Sequence, residues 1–283
     1  MLSETPTVAA SRWRAELDLR FERRGDRTVM AAQRHQGPLL VQKPLYPQGP
    51  EVCQVTVLHP PGGIAAGDSM AISATLLQRS HALLTTPGAT KWYRSGGALA
   101  EQHTRFALQN QSILEWLPRE SILFDRSRVS IALDVQLDGD AKFLGWEILC
   151  FGRRASAERW QHGDLRLRTR IVRDGRLLWQ ESGSIAADSG FTNSPVGLAG
   201  CSVMGTFVLA GIDADATALG ACRTIAAEEH EARTGITCVP GVLVARYLGD
   251  SSEHAFQWFT QLWAALRPTL IGRDAHMLRL WAC

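Results

Sequence analysis

The chain has 283 residues, and 30 Lys and Arg against 28 Asp and Glu leave a formal net charge of +2. Hydrophobic residues make up 45% and charged residues 20%, which suits a packed core and excludes a disordered chain. A balance this close to neutral does not favour nucleic acid as a partner. At about 150 residues per domain the length allows one or two domains. Because no linker rich in Pro or Ser divides the chain, we predict a single domain over residues 1–283.

The cysteines, the N-terminal residues and one uncharged segment indicate the cellular compartment of the protein and whether the chain crosses a membrane. Six Cys form no C-x-x-C pair, and residues 1–20 lack the apolar stretch of a signal peptide, so we predict a reduced, cytoplasmic protein. Residues 189–212 carry no charge and are long enough to cross a bilayer. Five Gly and one Pro interrupt them, which favours buried strands with glycine turns over a membrane helix.

Apolar and polar residues alternate along much of the chain, and a period of two predicts half-buried strands. In chain order, the pattern predicts strands at residues 13–21, 28–34, 51–58, 70–77, 103–108, 129–137, 143–150, 165–171 and 203–210. It is clearest at 13–21, 129–137 and 165–171. Turn signals separate these runs at Gly25-Asp26, Asp138-Gly139-Asp140 and Asp174-Gly175.

The last quarter of the chain changes to helical spacing. Residues 215–233 are rich in Ala, with Asp215 as a predicted N-cap and Gly235 as a stop signal. Residues 252–266 place aromatic residues at steps of three and four, and we expect Pro268 to end this helix. The sequence therefore predicts a mainly β fold of short strands in packed sheets, a β-sandwich or β-helix-like domain. Its β body covers residues 13–212 and 236–250, with two α-helices near the C-terminus.

Common catalytic motifs are absent from the sequence. It contains no phosphate-binding G-x-x-x-x-G-K-[ST] loop, no G-x-G-x-x-G dinucleotide motif, no H-E-x-x-H zinc helix and no G-x-S-x-G nucleophile elbow. The eight His are scattered along the chain. We therefore assign no catalytic residue.

Two loops and several carboxylates are not explained by strand periodicity. Residues 59–68 read HPPGGIAAGD, a glycine-rich loop in which Asp68 either caps its own backbone or contacts a cation. Residues 85–96 read TTPGATKWYRSG, either a recognition surface or a turn. Glu115, Glu147 and Glu181 lie in or beside apolar runs. Alternation places Glu147 on the face of Leu149 and Phe151, which favours burial, with Arg153 as one available partner.

These clusters, in this order, resemble the UreD family of urease accessory proteins, also called UreH. The family's L-H-x-x-G-G-x-x-x-G-D loop is met by Leu58, His59, Gly62, Gly63, Gly67 and Asp68. Its T-T-x-x-A-T-K-x-Y-R-S run is met by Thr85, Thr86, Ala89, Thr90, Lys91, Tyr93, Arg94 and Ser95. Its L-E-W-L-P-x-E and W-E-I-L-x-F-G-R motifs are met by Leu114 to Pro118, Glu120, Trp146 to Leu149, Phe151, Gly152 and Arg153.

The resemblance implies a non-catalytic factor for maturing urease, a nickel enzyme. It implies a scaffold that binds apo-urease, UreF and, through UreF, the GTPase UreG, with no nucleic acid or membrane partner. It also implies that nickel passes through the protein along an internal polar path, with no tightly bound cofactor. The residues of the UreF and urease interfaces are not predicted.

A transit path must hold the metal loosely, and scattered carboxylates and hydroxyls do so better than clustered His and Cys. We predict that Asp68, Glu147, Glu181 and Thr90 line the path, and that Gly62, Gly63 and Gly67 shape the loop. Two alternatives stay open. One is a β-rich hydrolase that uses two of Asp68, Glu115, Glu147 and Glu181 as acid and base. The other is a nickel or zinc storage protein, which the lack of clustered Cys and His disfavours.

Overall fold

The computed structural model describes residues 13–228 and 231–282. The first nine strands are β1 (Arg14–Arg24), β2 (Arg27–Gln36), β3 (Leu40–Val41), β4 (Val52–Leu58), β5 (Gly63–Ile64), β6 (Ser69–Leu76), β7 (His81–Thr85), β8 (Thr90–Trp92) and β9 (Ala100–Leu108). The next nine are β10 (Ile113–Leu117), β11 (Ser121–Leu123), β12 (Ser127–Leu137), β13 (Lys142–Phe151), β14 (Gly163–Arg173), β15 (Arg176–Ala186), β16 (Val203–Ala210), β17 (Arg233–Val239) and β18 (Val242–Gly249). The α-helices are α1 (Ala216–Arg223) and α2 (Ser252–Ile271).

The strands form two packed sheets. The first sheet has the order β15-β14-β12-β9-β6-β1-β2, and the path of the second is β17-β18-β16-β13-β10-β7-β4-β3, with β5, β8 and β11 beside it. The chain alternates between the sheets from β6 to β14, and the central pairs of each sheet are parallel. The result is a β-solenoid in which each coil adds a strand to both sheets.

The mainly β prediction is confirmed. Each of the nine predicted strands matches an observed strand to within about three residues at either end. Among the strands that the prediction missed, β7 and β10 are buried on both faces, so their sequences lack the alternation of a half-buried strand. Within residues 189–212, the first half forms hydrogen-bonded turns and the second half forms β16. Among the described residues, no helix has the length and hydrophobicity of a membrane span.

The predicted helix at residues 215–233 is much shorter in the structure. Asp215 is the N-cap as predicted, and its side chain accepts the Ala218 N–H. The helix ends at Arg223, where the Thr224 hydroxyl donates to the Ala221 carbonyl and satisfies a terminal acceptor. The predicted range is therefore wrong beyond residue 223, and β17 begins at Arg233 rather than at residue 236.

Helix α2 is longer than predicted. Ser251 is its N-cap, but the helix continues through Pro268 to Ile271 and ends at Gly272, whose φ is +76°. The prediction that Pro268 ends the helix is wrong. Tertiary contacts override the loss of one backbone hydrogen bond, because Arg267, next to the proline, is fully buried and fixed by Glu115.

Two hydrophobic cores lie on opposite faces of the second sheet. One fills the space between the sheets, and the other lies between the second sheet and α2. The side chains of strand β13 alternate between the two cores. Phe143 and Leu149 face the first core, and Trp146 and Ile148 face the second. Trp146 packs against Phe256 of α2 with ring centroids 5.7 Å apart.

A buried ion cluster joins α2 to the second sheet. Glu115 on β10 is fully buried, and Arg267 donates from Nε and Nη2 to its two carboxylate oxygens at 2.9 Å. Trp263 Nε1 donates at 2.6 Å, and His81 Nε2 lies 2.6 Å from Oε1. Burial alone raises the pKa of Glu115, but the His81 hydrogen bond and the charges of His81 and Arg267 outweigh it and lower the pKa to about 2.

We expect Glu115→Gln to lower the free energy of unfolding by about 3–5 kcal/mol, because it leaves the buried Arg267 without its counter-charge. Chemical denaturation at neutral pH measures this loss. The matched control is Glu16→Gln, which removes a carboxylate from an exposed pair with Arg14 and should change stability by less than about 1 kcal/mol. Equal effects of the two substitutions would contradict a structural role for the cluster.

Candidate functional site

A cavity of about 250 Å³ lies between the two sheets. Apolar residues such as Ile72, Ile131 and Phe143 form much of its wall. Polar side chains enter it from both sheets and from the loops that follow β4 and β7. A largely apolar cavity with a few convergent polar groups is the usual form of a functional site.

One end of the cavity carries a row of polar side chains. Glu147 on β13 pairs in register with Thr206 on β16, and Thr206 pairs with Arg246 on β18. Across the cavity, Glu181 on β15 pairs with Thr169 on β14. Arg246 connects the two sheets, because its Nη2 donates to Glu181 Oε2 at 2.7 Å and its Nη1 donates to Thr206 Oγ1 at 2.7 Å.

The two carboxylates differ in their surroundings. Burial and the nearby charge of Glu181 raise the pKa of Glu147 to about 7. Glu147 keeps some accessible surface because its side chain faces the cavity. Arg153, the alternative partner, donates instead to Glu158 at 2.6 Å, so the structure does not contain the alternative Glu147–Arg153 pair. A carboxyl that titrates near neutral pH in a cavity marks a functional position.

The other end of the cavity is bordered by the two sequence motifs. His59, Thr86 and Thr90 line it beside the exposed residues Pro87 and Gly88, and we call this part of the lining the mouth. Burial lowers the pKa of His59, although the charge of Asp68 acts in the opposite direction. A neutral imidazole at the mouth is able to bind a metal or accept a hydrogen bond.

The glycine-rich loop is shaped by close packing. Gly62 and Gly67 both have positive φ, and the ring of Tyr93 packs so closely on Gly63 that a Cβ there would lie 2.4 Å from it. Asp68 accepts the backbone N–H groups of Ala65 and Trp13, each at 3.0 Å. The loop therefore presents His59 to the cavity in a fixed geometry.

The structure brings together three of the four predicted path residues, since Glu147, Glu181 and Thr90 all line the cavity. Asp68 is absent from the lining that the described residues form, and it holds the loop behind the motif's His59. Sequence reasoning did not select His59, Thr206 or Arg246. The sequence could have identified His59, because it opens the glycine motif, whereas Arg246 lies in the predicted β segment 236–250, in which no individual strand was specified.

In the part of the chain that the structure describes, no group of three or more His, Cys, Asp and Glu side chains is placed to hold a metal ion. The polar end of the cavity instead offers Glu147, Glu181 and the hydroxyls of Thr169 and Thr206. Oxygen donors of this kind suit a divalent cation that is held loosely.

Comparison with known proteins places this chain in a class of accessory proteins for an enzyme. The sequence profile described as UreD urease accessory protein matches residues 14–282. "Urease accessory protein UreD" from Azoarcus sp. (strain BH72) is 49% identical over 95% of this chain and 94% of its own length. The proteins of the same name from Dechloromonas aromatica (strain RCB) and Methylobacillus flagellatus are 49% identical over 95% of this chain and 46% identical over 99%, covering 94% and 98% of their own lengths.

The chain therefore belongs to the UreD family of urease accessory proteins. The family resemblance inferred from the sequence motifs is confirmed, and it covers nearly the whole described fold.

We expect the stability difference between Glu147→Gln and the native chain to depend on pH. Because the folded-state pKa is near 7 and the ordinary value is 4.5, the folded protein holds a proton that the unfolded chain has released. The free energy of unfolding of the native chain therefore falls as pH rises from about 4.5 to 7. The free energy of unfolding of the Gln variant does not fall for this reason. Relative to the native chain, we expect the free energy of unfolding of Glu147→Gln to be about 2 kcal/mol higher at pH 8 than at pH 4.5. This difference is smaller than a fully buried carboxyl would give, because the cavity admits water.

Chemical denaturation at both pH values measures this gain. Glu101→Gln is the control, because Glu101 is exposed on the outer face of the first sheet. If Glu147→Gln and Glu101→Gln follow the same pH dependence, the raised pKa is wrong.

Proposed function

We propose that this protein is a non-catalytic maturation factor of urease that works in the cytoplasm. The observation that carries the proposal is the match of residues 14–282 to one family of urease accessory proteins. The relatives cover nearly the whole chain at 46–49% identity, so the proposal applies to the entire fold rather than to a shared fragment.

The proposed partners are apo-urease, UreF and, through UreF, the GTPase UreG. They follow from the family resemblance of the sequence motifs. A rigid solenoid suits a scaffold of this kind, because its two ends and its outer faces are available to different partners at once.

The proposed cargo is nickel, which passes between the sheets through the cavity and is not retained as a cofactor. Glu147 and Glu181 supply carboxylates, and Thr90 supplies a hydroxyl near the mouth. Few charged ligands and several weak oxygen donors give the low affinity that release to urease requires. In this proposal Asp68 acts at the entrance, where it holds the loop and influences His59.

A hydrolase is the second candidate, and one observation favours it. Glu147 has a raised pKa and shares the cavity with Glu181, the pattern of an acid and a base. Of the other two candidates, Glu115 is enclosed in its ion cluster on the opposite face of the sheet, and Asp68 accepts two backbone N–H groups. Glu181 is also paired with Arg246, which reduces its use as a base.

Urease activity in cells that carry the cognate urease operon, with and without this gene, tests the maturation role. With nickel in excess, we expect urease protein to accumulate without the gene but to stay inactive, and activity to return when the gene is restored. Immunoblotting of the urease subunits is the control for expression. Equal activity with and without the gene would overturn the proposal and leave the hydrolase reading to be tested by a substrate screen.

We expect the combined replacement of Glu147 and Glu181 by Gln to lower urease activation in the same cells by at least tenfold. The complex with UreF should stay intact, because both side chains line the cavity between the sheets. Co-purification with UreF and the nickel content of urease are measured beside activity. Replacing the exposed Glu101 and Asp18 by neutral amides is the matched control and should change neither readout. A normal nickel content in urease from cells that carry the double Gln variant would contradict the proposed nickel path.

A further inference from the structure

We propose that Arg246 is a resident counter-cation of the cavity, which neutralises Glu181 until a divalent cation displaces it. The inference deepens the proposed nickel path and rests on it. In this inference Arg246 determines how tightly the metal binds, whereas the carboxylates are the groups that bind it.

The position of Arg246 supports this role. The guanidinium contacts Glu181 through one terminal nitrogen and Thr206 through the other, each at 2.7 Å. Because Thr206 is the register neighbour of both Glu147 and Arg246, the guanidinium lies in the same cross-strand row as the second carboxylate. A cation that bound both carboxylates would therefore have to compete with Arg246 for Glu181.

The accessibility of the pair allows exchange. The side chains of Arg246 and Glu181 retain 40% and 39% of their accessible surface, although both border the cavity. An ion pair that is open to water on this scale is weak, because solvent screens both charges. The fully buried pair of Glu115 and Arg267 is the contrasting case in the same fold, with 0% exposure of each side chain.

The charges of the site define the effect of displacement. A divalent cation gains attraction from Glu147 and Glu181 and loses some of it to repulsion by the fixed guanidinium. The cation must also break the contact between Arg246 and Glu181. Both contributions weaken metal binding, so Arg246 keeps the metal from being trapped and returns to Glu181 when the metal leaves.

Equilibrium dialysis of Ni²⁺ against the purified full-length protein tests the role directly. We expect Arg246→Met to bind Ni²⁺ at least about tenfold more tightly than the native chain, because it removes a positive charge beside two carboxylates. Arg246→Gln removes the same charge but keeps a hydrogen-bonding group for Thr206, and it should shift the affinity in the same direction. Arg246→Lys keeps the charge and should stay within about threefold of the native value.

Arg168→Met is the matched control. Arg168 lies on β14 and borders the cavity, but alternation turns its side chain to the face opposite that of Leu167, where it donates to both oxygens of Asp134 at 2.7 and 2.8 Å. The control removes the same formal charge and should leave the Ni²⁺ affinity unchanged. Adding Glu181→Gln to Arg246→Met should abolish the tighter binding. Circular dichroism confirms that each variant is folded before dialysis.

Two outcomes would overturn the inference: Arg246→Met and Arg246→Gln bind Ni²⁺ no more tightly than the native chain, or Arg168→Met tightens binding equally. In either case, if the double Gln variant of Glu147 and Glu181 still lowers the nickel content of urease, the proposed nickel path is supported and only the role of Arg246 is contradicted. If that variant leaves urease nickel normal, the path itself fails. In cells, tighter retention by Arg246→Met should lower the nickel content of urease, an effect that excess nickel does not reverse.

Discussion

The second sheet is packed on both faces, and this constraint governs the rest of the structure. Its central strands, such as β13 and β16, must present one set of side chains to the first sheet and the other set to α2. In β13 the alternation places Trp146 beneath α2 and Glu147 in the cavity. A slip of one residue would exchange them, burying a carboxylate under the helix and filling the cavity with an indole. The cavity therefore exists only because the register is fixed.

Glu115 and Glu147 show how the same functional group serves two purposes. Glu115 receives hydrogen bonds from a guanidinium, an indole and an imidazole, so it stays charged and holds α2 in place. Glu147 faces another carboxylate and keeps a pKa near 7. Removing one partner from a fully compensated buried charge is costly, whereas a buried carboxyl without such partners is available for binding.

Much of the fold and part of the site were predictable from sequence. Alternation predicted nine of the strands, most clearly β1, which has one exposed face, but it specified no individual strand within the β segment 236–250, where Val242 to Ala245 of β18 are all buried. The same gap concealed Arg246, since its contact with Glu181 joins residues 65 positions apart on different sheets. A motif identified Glu147, and the apolar run before Glu181 identified that residue. Asp68 accepts two backbone N–H groups, the capping role that the sequence could not distinguish from a role as a metal ligand.

The hairpins at the two ends of the first sheet have a further consequence. Antiparallel strands β2 and β15 close the parallel stack, and both are largely exposed edge strands. Open edges of a solenoid invite end-to-end pairing with another copy and growth into fibres. Here Arg27 and Arg34 on β2 and Arg176 on β15 place positive charge along those edges. Like-charge repulsion between copies thus opposes polymerisation and keeps the stack at a finite length.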